Sequence, residues 1–461
     1  MTVTQLFTVA EIVALTGGQL LQGSPATPVS GFAYDSRKVG AGDCFVAMPG
    51  ERVDGHDYTG KAAGAGAACV IAARPVAAPG SALVVVPDPL IALGQLGRAQ
   101  RERFPVPIVG ITGSVGKTTT KELVAAALGS RFNVFRSVGN LNSEVGLPIT
   151  LMDLGSEHEV AVLEMGMRAL GEIEYLTSIA RPDIGIVTNV GPTHLELLGT
   201  IANIARAKSE LVRSLPPGGA AVLNADDELV AAMAADSPCP VWFYGFGAAD
   251  RGARWVTVRD LRRDGETGQR FTLVSSEGEA EAFLPALGRH IAMGAMAAAA
   301  AGLALGISLA EVAAGLATYV PSGSRMRILN EGGVRLLDDT YNAAPVSVIA
   351  ALGVMRQLAG EGRCIAVLGD MFELGAAAEE GHRQVGEAAG RLADELVAVG
   401  DLALHIAAAG GKAARHCAGK PEAIDELKRM VRAGDTVLVK GSRGMAMEEI
   451  VQALENHLAR R

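Results

Sequence analysis

Short runs of apolar residues alternate with longer amphipathic stretches along most of this chain. After the proline-containing segment 105–107, apolar runs at 160–163, 184–188 and 220–223 each end in polar or glycine residues. Such runs, separated by helical stretches, are typical of parallel strands whose sheet is covered by helices on both faces. The carboxyl ends of the strands form the ligand crevice of an open α/β sheet, so the polar residues there are candidate site residues.

The pattern on either side of this region predicts two more domains. Before it, strands are predicted at 68–72 and 82–86 and a helix at 89–104. Beyond a boundary at 320–324, which contains Pro, Ser and Gly, strands are predicted from the apolar runs 335–337, 365–368 and 436–439. We therefore predict an α/β fold with a small α/β N-terminal domain (1–106), a central parallel-sheet domain (107–320) and a C-terminal Rossmann-like α/β domain (321–461).

The composition fits a folded protein and narrows its partners. Hydrophobic residues make up 49% of the 461 residues, charged residues 20%, and glycine occurs 57 times, which excludes a disordered chain. The net charge of −9, without runs of Lys or Arg, argues against a nucleic-acid partner. The five cysteines are scattered and never form a CxxC pair, so we expect reduced, buried thiols and neither a disulfide framework nor a zinc site.

One uncharged segment has the length of a membrane span. Residues 291–310 carry no charge, but most of them are Ala and Gly. Because alanine contributes little to bilayer partition and small residues favour close helix packing, we predict a buried helix and no membrane insertion. The N-terminal residues 1–6 lack the basic start and apolar core of a signal peptide, so we expect a cytoplasmic protein, and we expect a monomer.

The most informative segment is a predicted strand at 108–112 that runs into a glycine-rich turn ending in Gly116-Lys117-Thr118. In such a turn backbone N–H groups point at a phosphate, and the following helix offers the positive end of its dipole. Lys117 would neutralise the outer phosphates and the Thr118 hydroxyl would hold magnesium. Ile111 stands where the strict pattern requires glycine, so we predict an ATPase domain with a variant phosphate loop; the alternative is an ordinary strand–helix turn.

Three further candidates lie in the central domain. Glu164 ends the first predicted strand after the loop, where a carboxylate could reach a magnesium ion. His194 follows another strand end; taken alone, a histidine satisfied within its own loop is the simpler interpretation. Lys208 lies in a helical stretch and, taken alone, is indistinguishable from a solvated surface lysine.

Two more candidates lie at and just beyond the second boundary. Arg325 and Asp339 could approach the nucleotide from the last domain, on the other side of a cleft. The pair Asp338-Asp339 is also compatible with a solvated turn. The last domain has no dinucleotide-binding glycine fingerprint, which excludes NAD.

Taken together, these residues show that the chain resembles the Mur ligase superfamily, the ATP-dependent amide-forming enzymes of peptidoglycan precursor synthesis. Its segment 112–119 has that superfamily's form of the phosphate loop. Further matching motifs run in family order across nearly the whole chain: Asp35-Ser-Arg37, Asp54-Gly-His56, Gly139-Asn-Leu-Asn142 with Glu144 and Gly146, Glu164-Met-Gly166, 188–196, Ala207-Lys208, 338–343 with Pro345, Gly369-Asp-Met371 with Glu373-Leu-Gly375 and His382, and 440–443.

The resemblance implies a three-domain ligase. Its first domain would hold the UDP-sugar end of the precursor, its second ATP and Mg2+, and its third would close over both. The motifs are most similar to those of the members that join D-alanyl-D-alanine to UDP-MurNAc-tripeptide. In the implied reaction ATP phosphorylates the tripeptide carboxylate, and the dipeptide amine then attacks the acyl phosphate, which domain closure protects from water.

The resemblance also implies roles for individual residues. Catalysis would depend on Lys117, Glu164, His194 and Lys208. The nucleotide would contact Gly113, Ser114, Val115, Gly116, Lys117, Thr118, Thr119, His290, Arg325 and Asp339. The peptide substrates would contact Asp35, Ser36, Arg37, Asn140, Asn142, Tyr341 and Asn342. Magnesium would be held by Thr118, Glu164 and His194, and by Lys208 if that lysine is carbamylated, which turns a cation into a carboxylate-like partner.

Some positions depart from the family pattern. Ile291 and Gly294 stand where the family has asparagines on the adenine side, so backbone groups or apolar packing would have to replace those amides. Ser143 and Ala344 replace asparagines near the substrates, and Ser324 replaces a glycine. None of these changes touches the phosphate loop. We therefore expect the protein to be active. The property that these departures would change most is its affinity for ATP.

The sequence leaves other functions to be weighed. The nearest alternative is a sister ligase that adds a single amino acid, but the Asp-Asn-Pro-Arg motif of the diaminopimelate type is absent. A folate polyglutamate ligase would not explain the motif at 35–37. From another class, a nucleotide switch would bind without ligation, although the guanine-selective Asn-Lys-x-Asp motif is absent. A binding protein without catalysis is disfavoured by the intact Lys117 and Thr118.

Overall fold

The structure, a computed structural model, describes residues 5–50, 53–266, 268–321 and 323–460. Its strands are β1 (Phe7–Thr8), β2 (Gln19–Gln22), β3 (Pro28–Val29), β4 (Gly31–Ala33), β5 (Asp43–Val46), β6 (Cys69–Ala72), β7 (Ala82–Val85), β8 (Ile108–Thr112), β9 (Val134–Arg136), β10 (Val160–Glu164), β11 (Ile184–Val187), β12 (Ala220–Asn224), β13 (Val241–Tyr244), β14 (Trp255–Asp264), β15 (Gly268–Ser275), β16 (Gly278–Leu284), β17 (Arg327–Glu331), β18 (Val334–Asp338), β19 (Cys364–Gly369), β20 (Glu395–Val399), β21 (Ala414–Cys417) and β22 (Thr436–Lys440).

The α-helices are α1 (Val9–Thr16), α2 (Thr59–Gly64), α3 (Pro89–Arg103), α4 (Lys117–Leu128), α5 (Gly146–Leu151), α6 (Glu172–Ala180), α7 (Leu195–Leu198), α8 (Ile201–Arg213), α9 (Glu228–Ala232), α10 (Arg289–Ala304), α11 (Leu309–Leu316), α12 (Pro345–Ala359), α13 (Ala378–Leu392), α14 (Leu404–Ala409), α15 (Lys420–Met430) and α16 (Glu448–Leu458). The signal-peptide interpretation concerns residues 1–6, of which 1–4 lie outside the described residues, and of the second predicted boundary Ser322 lies outside them.

The chain divides into two compact units. The first comprises Met1–Gly110, Phe132–Met167 and Gly171–Asp183, and the second comprises Ile111–Arg131, Arg168–Leu170 and Ile184–Arg461. In the first unit, a five-stranded sheet has the order β2-β7-β6-β5-β4, in which β4 to β7 are parallel and β2 is antiparallel to β7. Strands β9 and β10 of this unit also pair in parallel.

Helix α3 shows how the first unit builds its core. Its N-cap Asp88 accepts hydrogen bonds from two backbone amides of the first turn, and Pro89 follows at a position where its missing N–H costs nothing. Its buried Leu93 and Leu96 belong to one apolar cluster with residues of β5, β6 and β7. The strands predicted at 68–72 and 82–86 and the helix predicted at 89–104 are confirmed within one residue at each end.

The second unit has two sheets. In the first, β11, β12, β13 and β14 pair in parallel, and β15 and β16 extend this sheet with antiparallel pairs. The other is six-stranded, in the order β17-β18-β22-β19-β20-β21, and only its β17–β18 pair is antiparallel. Along β19, Ile365 and Val367 pack into one apolar cluster while Ala366 and Leu368 pack into another, so both faces are covered. The predicted parallel α/β class is confirmed.

Most of the uncharged segment 291–310, predicted as one buried helix, lies in α10, which ends at Ala304, whereas residues 309–310 begin α11. Ala292 and the run from Ala295 to Ala301 have no exposed surface, and α10 packs against α4, the helix that follows the glycine turn. Its small side chains permit this approach, since a Cβ on Gly294 would lie only 2.6 Å from Cδ1 of Leu123. No helix of the described residues is long and apolar enough to cross a membrane.

Candidate active site

The glycine turn between β8 and α4 is braced by the segment that follows β11. Gly113 has a φ of +149°, and a Cβ there would lie 1.8 Å from the Thr188 hydroxyl oxygen, so only glycine fits. The amides of Ser114 and Val115 donate to the main-chain and side-chain oxygens of Asn189, at 3.0 and 2.9 Å. Thr188 donates in turn to the Val115 carbonyl, at 2.7 Å.

Ser114 extends this bracing through its hydroxyl. The Ser114 Oγ donates to the Gly191 carbonyl at 3.1 Å, accepts from the Gly191 amide at 2.9 Å, and accepts from the Thr193 hydroxyl at 3.1 Å. The loop is therefore a rigid turn that leads into the amino end of α4. Asn189 was not among the predicted site residues, although it lies in the motif 188–196 that supported the resemblance.

Two lysines lie close together beside the loop. The Lys117 ammonium donates to the Gly113 carbonyl at 2.7 Å. Lys208, on α8, is only 2% exposed. Burial, and then the charge of Lys117, lower the pKa of Lys208 well below its ordinary value. The prediction of a solvated surface lysine, given as the alternative for this residue, is wrong.

Of the two predicted nucleotide residues beyond 320, Arg325 contacts the loop, and Asp339 contacts the residue that follows Arg325. A guanidinium nitrogen of Arg325 donates to the Thr118 hydroxyl at 3.2 Å. The Asp339 carboxylate accepts from the Met326 amide at 3.1 Å and pairs with Lys440 at 2.6 Å, so both of its oxygens are engaged. The solvated turn considered for Asp338-Asp339 is also wrong, since Asp338 is 1% exposed.

His194 contacts a carboxylate that the sequence analysis did not select for the site. His194 and Glu373 both have left-handed backbones, with φ of 57° and 64°, which are uncommon for residues with a side chain. The Nδ1 of His194 lies 3.0 Å from Oε2 of Glu373. This hydrogen bond lowers the pKa of Glu373, and the charges of Arg168 and Lys117 lower it further. Glu373 belongs to a motif noted in the sequence, but nothing in that motif indicated its partner.

The remaining nucleotide and dipeptide candidates also lie in the second unit. His290 lies at the start of α10 and is exposed. Tyr341 stacks its ring on the Arg325 guanidinium, with the guanidinium carbon 3.7 Å from the ring centre. Asn342 is exposed, and its carbonyl accepts from Lys440 at 2.8 Å.

The first unit holds the other predicted residues. Glu164, at the end of β10, is 4% exposed, and the Asn142 side-chain amide donates to its Oε1 at 2.7 Å. The Asn140 carbonyl accepts from the Asn142 amide at 2.8 Å, which fixes the turn that carries Asn142. Asn142 therefore orients the Glu164 carboxylate.

Asp35 and Arg37 form a local pair in the same unit. The Arg37 guanidinium donates to Asp35 through Nε at 2.9 Å and through a terminal nitrogen at 2.8 Å. This bond lowers the pKa of Asp35. Ser36 lies between them and is half-buried. The pair presents an arginine whose side chain is mostly exposed, a group suited to phosphate.

The donor set suits magnesium held together with a nucleotide. Among the described residues there is no cluster of three or more His, Cys, Asp or Glu that could hold a metal by itself. Mg2+ usually takes only one or two protein oxygens and completes its shell with phosphates and water. The Thr118 hydroxyl in the second unit is an oxygen donor of that kind, and the Glu164 carboxylate in the first unit is another, so each residue suits the ion by its own chemistry.

Three family models match the chain in succession. Residues 28–101 match "Mur ligase family, catalytic domain", residues 111–302 match "Mur ligase middle domain" and residues 324–443 match "Mur ligase, glutamate ligase domain". The order of the matches is the order in which the sequence analysis predicted its three domains.

Relatives match over nearly the whole length. The UDP-N-acetylmuramoyl-tripeptide--D-alanyl-D-alanine ligase of Bacillus subtilis (strain 168) is 35% identical over 451 residues, which cover 95% of this chain and 96% of that protein. The crystal structure of MurF from Acinetobacter baumannii has a TM-score of 0.91 at 31% identity and covers 99% of this chain and 100% of that one. That of MurF ligase from Thermotoga maritima in complex with ADP has a TM-score of 0.83 at 29% identity and covers 94% of this chain and 98% of that one.

Proposed function

The chain belongs to the Mur ligase family, and we propose that it joins D-alanyl-D-alanine to UDP-MurNAc-tripeptide in peptidoglycan precursor synthesis, at the expense of ATP. Its relatives over the full length bear the name of that activity. The observation in this molecule that carries the proposal is the braced turn from Gly113 to Thr118, with Arg325 reaching it from beyond residue 320. Two cations, Lys117 and Arg325, contact this turn, which supports a triphosphate site there.

The chemistry explains why a ligase needs such a site. A carboxylate is a poor electrophile because its leaving group would be oxide. Transfer of the terminal phosphoryl group of ATP to the tripeptide carboxylate gives an acyl phosphate and ADP. The dipeptide amine then attacks the carbonyl carbon, a C–N bond forms, and phosphate leaves while the amine loses a proton. Because the transferring group carries negative charge spread over its oxygens, catalysis is mostly positioning and charge compensation.

We assign the residues of the second unit to the nucleotide. Lys117 leaves the Gly113 carbonyl to neutralise the phosphates, and Arg325 supplies a second positive charge. The hydrogen bonds of the turn hold its backbone in place, so the backbone needs little reorganisation when the nucleotide binds. The segment from Gly113 to Thr119 cradles the phosphates, with His290 and Asp339 on the nucleotide side.

Four residues are proposed to hold magnesium: Thr118, Glu164, His194 and carbamylated Lys208. When bound, the ion supplies further positive charge and orients the phosphate oxygens. Asn142 holds the Glu164 carboxylate in one orientation through its side-chain amide. Glu373 does the same for the His194 ring and leaves the other ring nitrogen, Nε2, for a metal.

Carbamylation of Lys208 is supported by its surroundings. Burial lowers the pKa of the Lys208 amine and so favours its neutral form, and a neutral amine is the nucleophile that CO2 requires. The nitrogen attacks the carbon of CO2, an N–C bond forms, and the amine releases one proton to give a carbamate anion. We expect a carbamate signal by 13C NMR after equilibration with 13C-bicarbonate, and no such signal in Lys208→Met. An unchanged spectrum on adding bicarbonate would contradict the assignment.

The peptide substrates are assigned to the remaining residues. Asp35, Ser36 and Arg37 would meet the UDP-sugar end, where the mostly exposed guanidinium of Arg37 suits a diphosphate. Asn140 and Asn142 would lie near the tripeptide, and Tyr341 and Asn342 near the dipeptide. We also propose that the three domains span residues 1–106, 107–320 and 321–461, and that the protein is cytoplasmic and monomeric.

Phosphate release tests the activity directly. ATP and Mg2+ are supplied with UDP-MurNAc-tripeptide and D-alanyl-D-alanine, singly and together, and the product is identified by mass. We expect release that requires both substrates, together with a pentapeptide product. Release with a single free amino acid in place of the dipeptide would establish a sister ligase. Nucleotide binding without release under any pair would leave a nucleotide switch as the function.

A further inference from the structure

Arg325 lies between two groups that are far from each other in the sequence. On one side its guanidinium donates to the Thr118 hydroxyl at 3.2 Å. On the other its central carbon lies 3.7 Å from the centre of the Tyr341 ring. At this distance the guanidinium stacks on the ring face, while its edge, which carries the N–H donors, stays available for the phosphate loop.

The backbone around Arg325 is tied to the segment that carries Tyr341. The Tyr341 amide donates to the Ser324 carbonyl at 3.1 Å. Arg327 pairs with Asp338 across the β17–β18 ladder, and the two side chains form an ion pair at 3.4 Å. Both neighbours of Arg325–Met326 are thus fixed to residues 338–341.

Met326 between these ties has a left-handed backbone. Its φ is 53°, and its amide donates to the Asp339 carboxylate at 3.1 Å. Asp339 is itself held by Lys440, whose ammonium lies 2.6 Å from its other oxygen and donates to the Asn342 carbonyl at 2.8 Å. A backbone in this region persists only when its surroundings hold it, and these contacts do so.

We propose that Tyr341 is a positioning residue for the nucleotide: its ring, together with the Asp339 contact to Met326, holds Arg325 over the phosphate loop. An arginine has many rotamers, and a charge that must be ordered for each turnover binds phosphate more weakly than one held in place. The ring orders the guanidinium plane without using its donors. The proposal rests on the proposed function, because it requires that ATP binds at the phosphate loop. It replaces the assignment of Tyr341 to the dipeptide, which came from the family resemblance.

The two assignments predict different kinetics. If Tyr341 acts through Arg325, then Tyr341→Leu raises KM for ATP and weakens binding of a non-hydrolysable ATP analogue, each by about tenfold, as expected for loss of a cation–π contact. Tyr341→Phe keeps the ring, so both values stay within about twofold of the wild type. KM for D-alanyl-D-alanine stays unchanged in both variants.

Calorimetry with the full-length protein measures analogue binding without turnover. Tyr58→Leu, which removes a tyrosine ring from an exposed position far from these residues in the chain, is the matched control and should bind the analogue like the wild type. In an Arg325→Met background, Tyr341→Leu should cause no further loss, since the residue through which it acts is already gone. Arg325→Lys keeps the positive charge but lacks the flat guanidinium, so it should bind the analogue more weakly than the wild type. This variant tests the stack of Arg325 on Tyr341 if Tyr341→Leu fails to fold.

Three results would overturn the proposal. One is a raised KM for the dipeptide with unchanged analogue affinity in Tyr341→Leu. Another is equal weakening in the Phe and Leu variants, which would assign the effect to the hydroxyl. The third is full analogue affinity in Arg325→Lys. Failure of the proposed ligase activity would be seen separately, as wild-type protein that binds the analogue but releases no phosphate with both substrates present.

Discussion

At the scale of single residues, the turn after β8 depends on Gly113. Its backbone lies in a region that side chains rarely adopt, and the Thr188 hydroxyl occupies the space that a Cβ would need. For Lys208, the property that depends on its position in the fold is the pKa of its amine. Its side chain is only 2% exposed, and burial, together with the charge of Lys117, lowers its pKa.

Replacing Gly113 by alanine should therefore damage both the fold and the site. We expect Gly113→Ala to lower the free energy of unfolding by more than about 2 kcal/mol, because the backbone and the Thr188 contact are both strained. Gly60→Ala is the matched control, since Gly60 lies in α2 with open space around its Cα, and it should change stability by less than about 1 kcal/mol. Urea unfolding measures both; equal effects would show that the turn tolerates a side chain.

Lys208 should give the protein a pH dependence that Lys208→Met lacks. Between the lowered pKa of the folded state and the ordinary lysine pKa, the unfolded state binds a proton at this residue, whereas the folded state has released it. The unfolded state therefore binds more protons, and stability rises with pH. In CO2-free buffer, the unfolding free energy of the wild type minus that of Lys208→Met should rise as the pH approaches about 10 from below. A difference that is flat with pH would mean that Lys208 stays charged when folded.

At the scale of elements, α4, the helix that follows the glycine turn, is positioned by its contact with α10. The alanine-rich face of α10 permits a close approach, and Gly294 lies where Cδ1 of Leu123 leaves no room for a Cβ. Gly294 is also one of the departures from the family pattern on the adenine side. The structure therefore gives this glycine a packing role that the sequence did not indicate.

Gly294→Ala measures how tight this packing is. Alanine in place of glycine within a helix adds about 1 kcal/mol of stability where space is open, and Gly353 in α12 is such a position. At Gly294 the contact with Leu123 should remove that gain and leave the variant about 1–3 kcal/mol less stable than Gly353→Ala. In a Leu123→Ala background the two glycine replacements should behave alike. A persistent difference there would locate the cost elsewhere.

At the scale of the whole molecule, the proposed function links nucleotide binding to stability. A ligand that binds only the folded state stabilises it, by about 2.7 kcal/mol at a hundred times its Kd. The loop from Gly113 to Thr118 is held by hydrogen bonds to the segment that follows β11, so it should keep its shape when the Lys117 side chain is removed.

Lys117→Ala should accordingly abolish phosphate release and the stabilisation by ATP and Mg2+, while the unfolding midpoint without nucleotide stays near that of the wild type. The physical reason is the loss of the charge that neutralises the phosphates. Lys61→Ala, at an exposed lysine, is the control and should keep both properties. Full activity of Lys117→Ala in the phosphate-release assay would contradict the assignment of the nucleotide site.

The sequence by itself determined the strands, the order of the motifs and the glycine turn. Apolar runs such as 108–112 and 436–439 form strands because a chain of alternating short apolar and long amphipathic segments can bury both only in a layered α/β fold. The turn was predictable because its glycines and its Lys-Thr pair are adjacent in the chain. The predicted roles of the site residues remain predictions, as do the domain boundaries.

Only the tertiary structure decided which distant residues meet. Asn189 contacts Val115, Glu373 contacts His194, and Arg325 joins Thr118 to Tyr341, across separations that no local pattern records. These contacts depend on where the order of the strands and the packing of the helices place each loop. A small shift of a loop would bring a different residue into contact. Local propensity therefore specifies the elements, whereas the through-space packing of the elements specifies the orientation of the groups that would act on ATP.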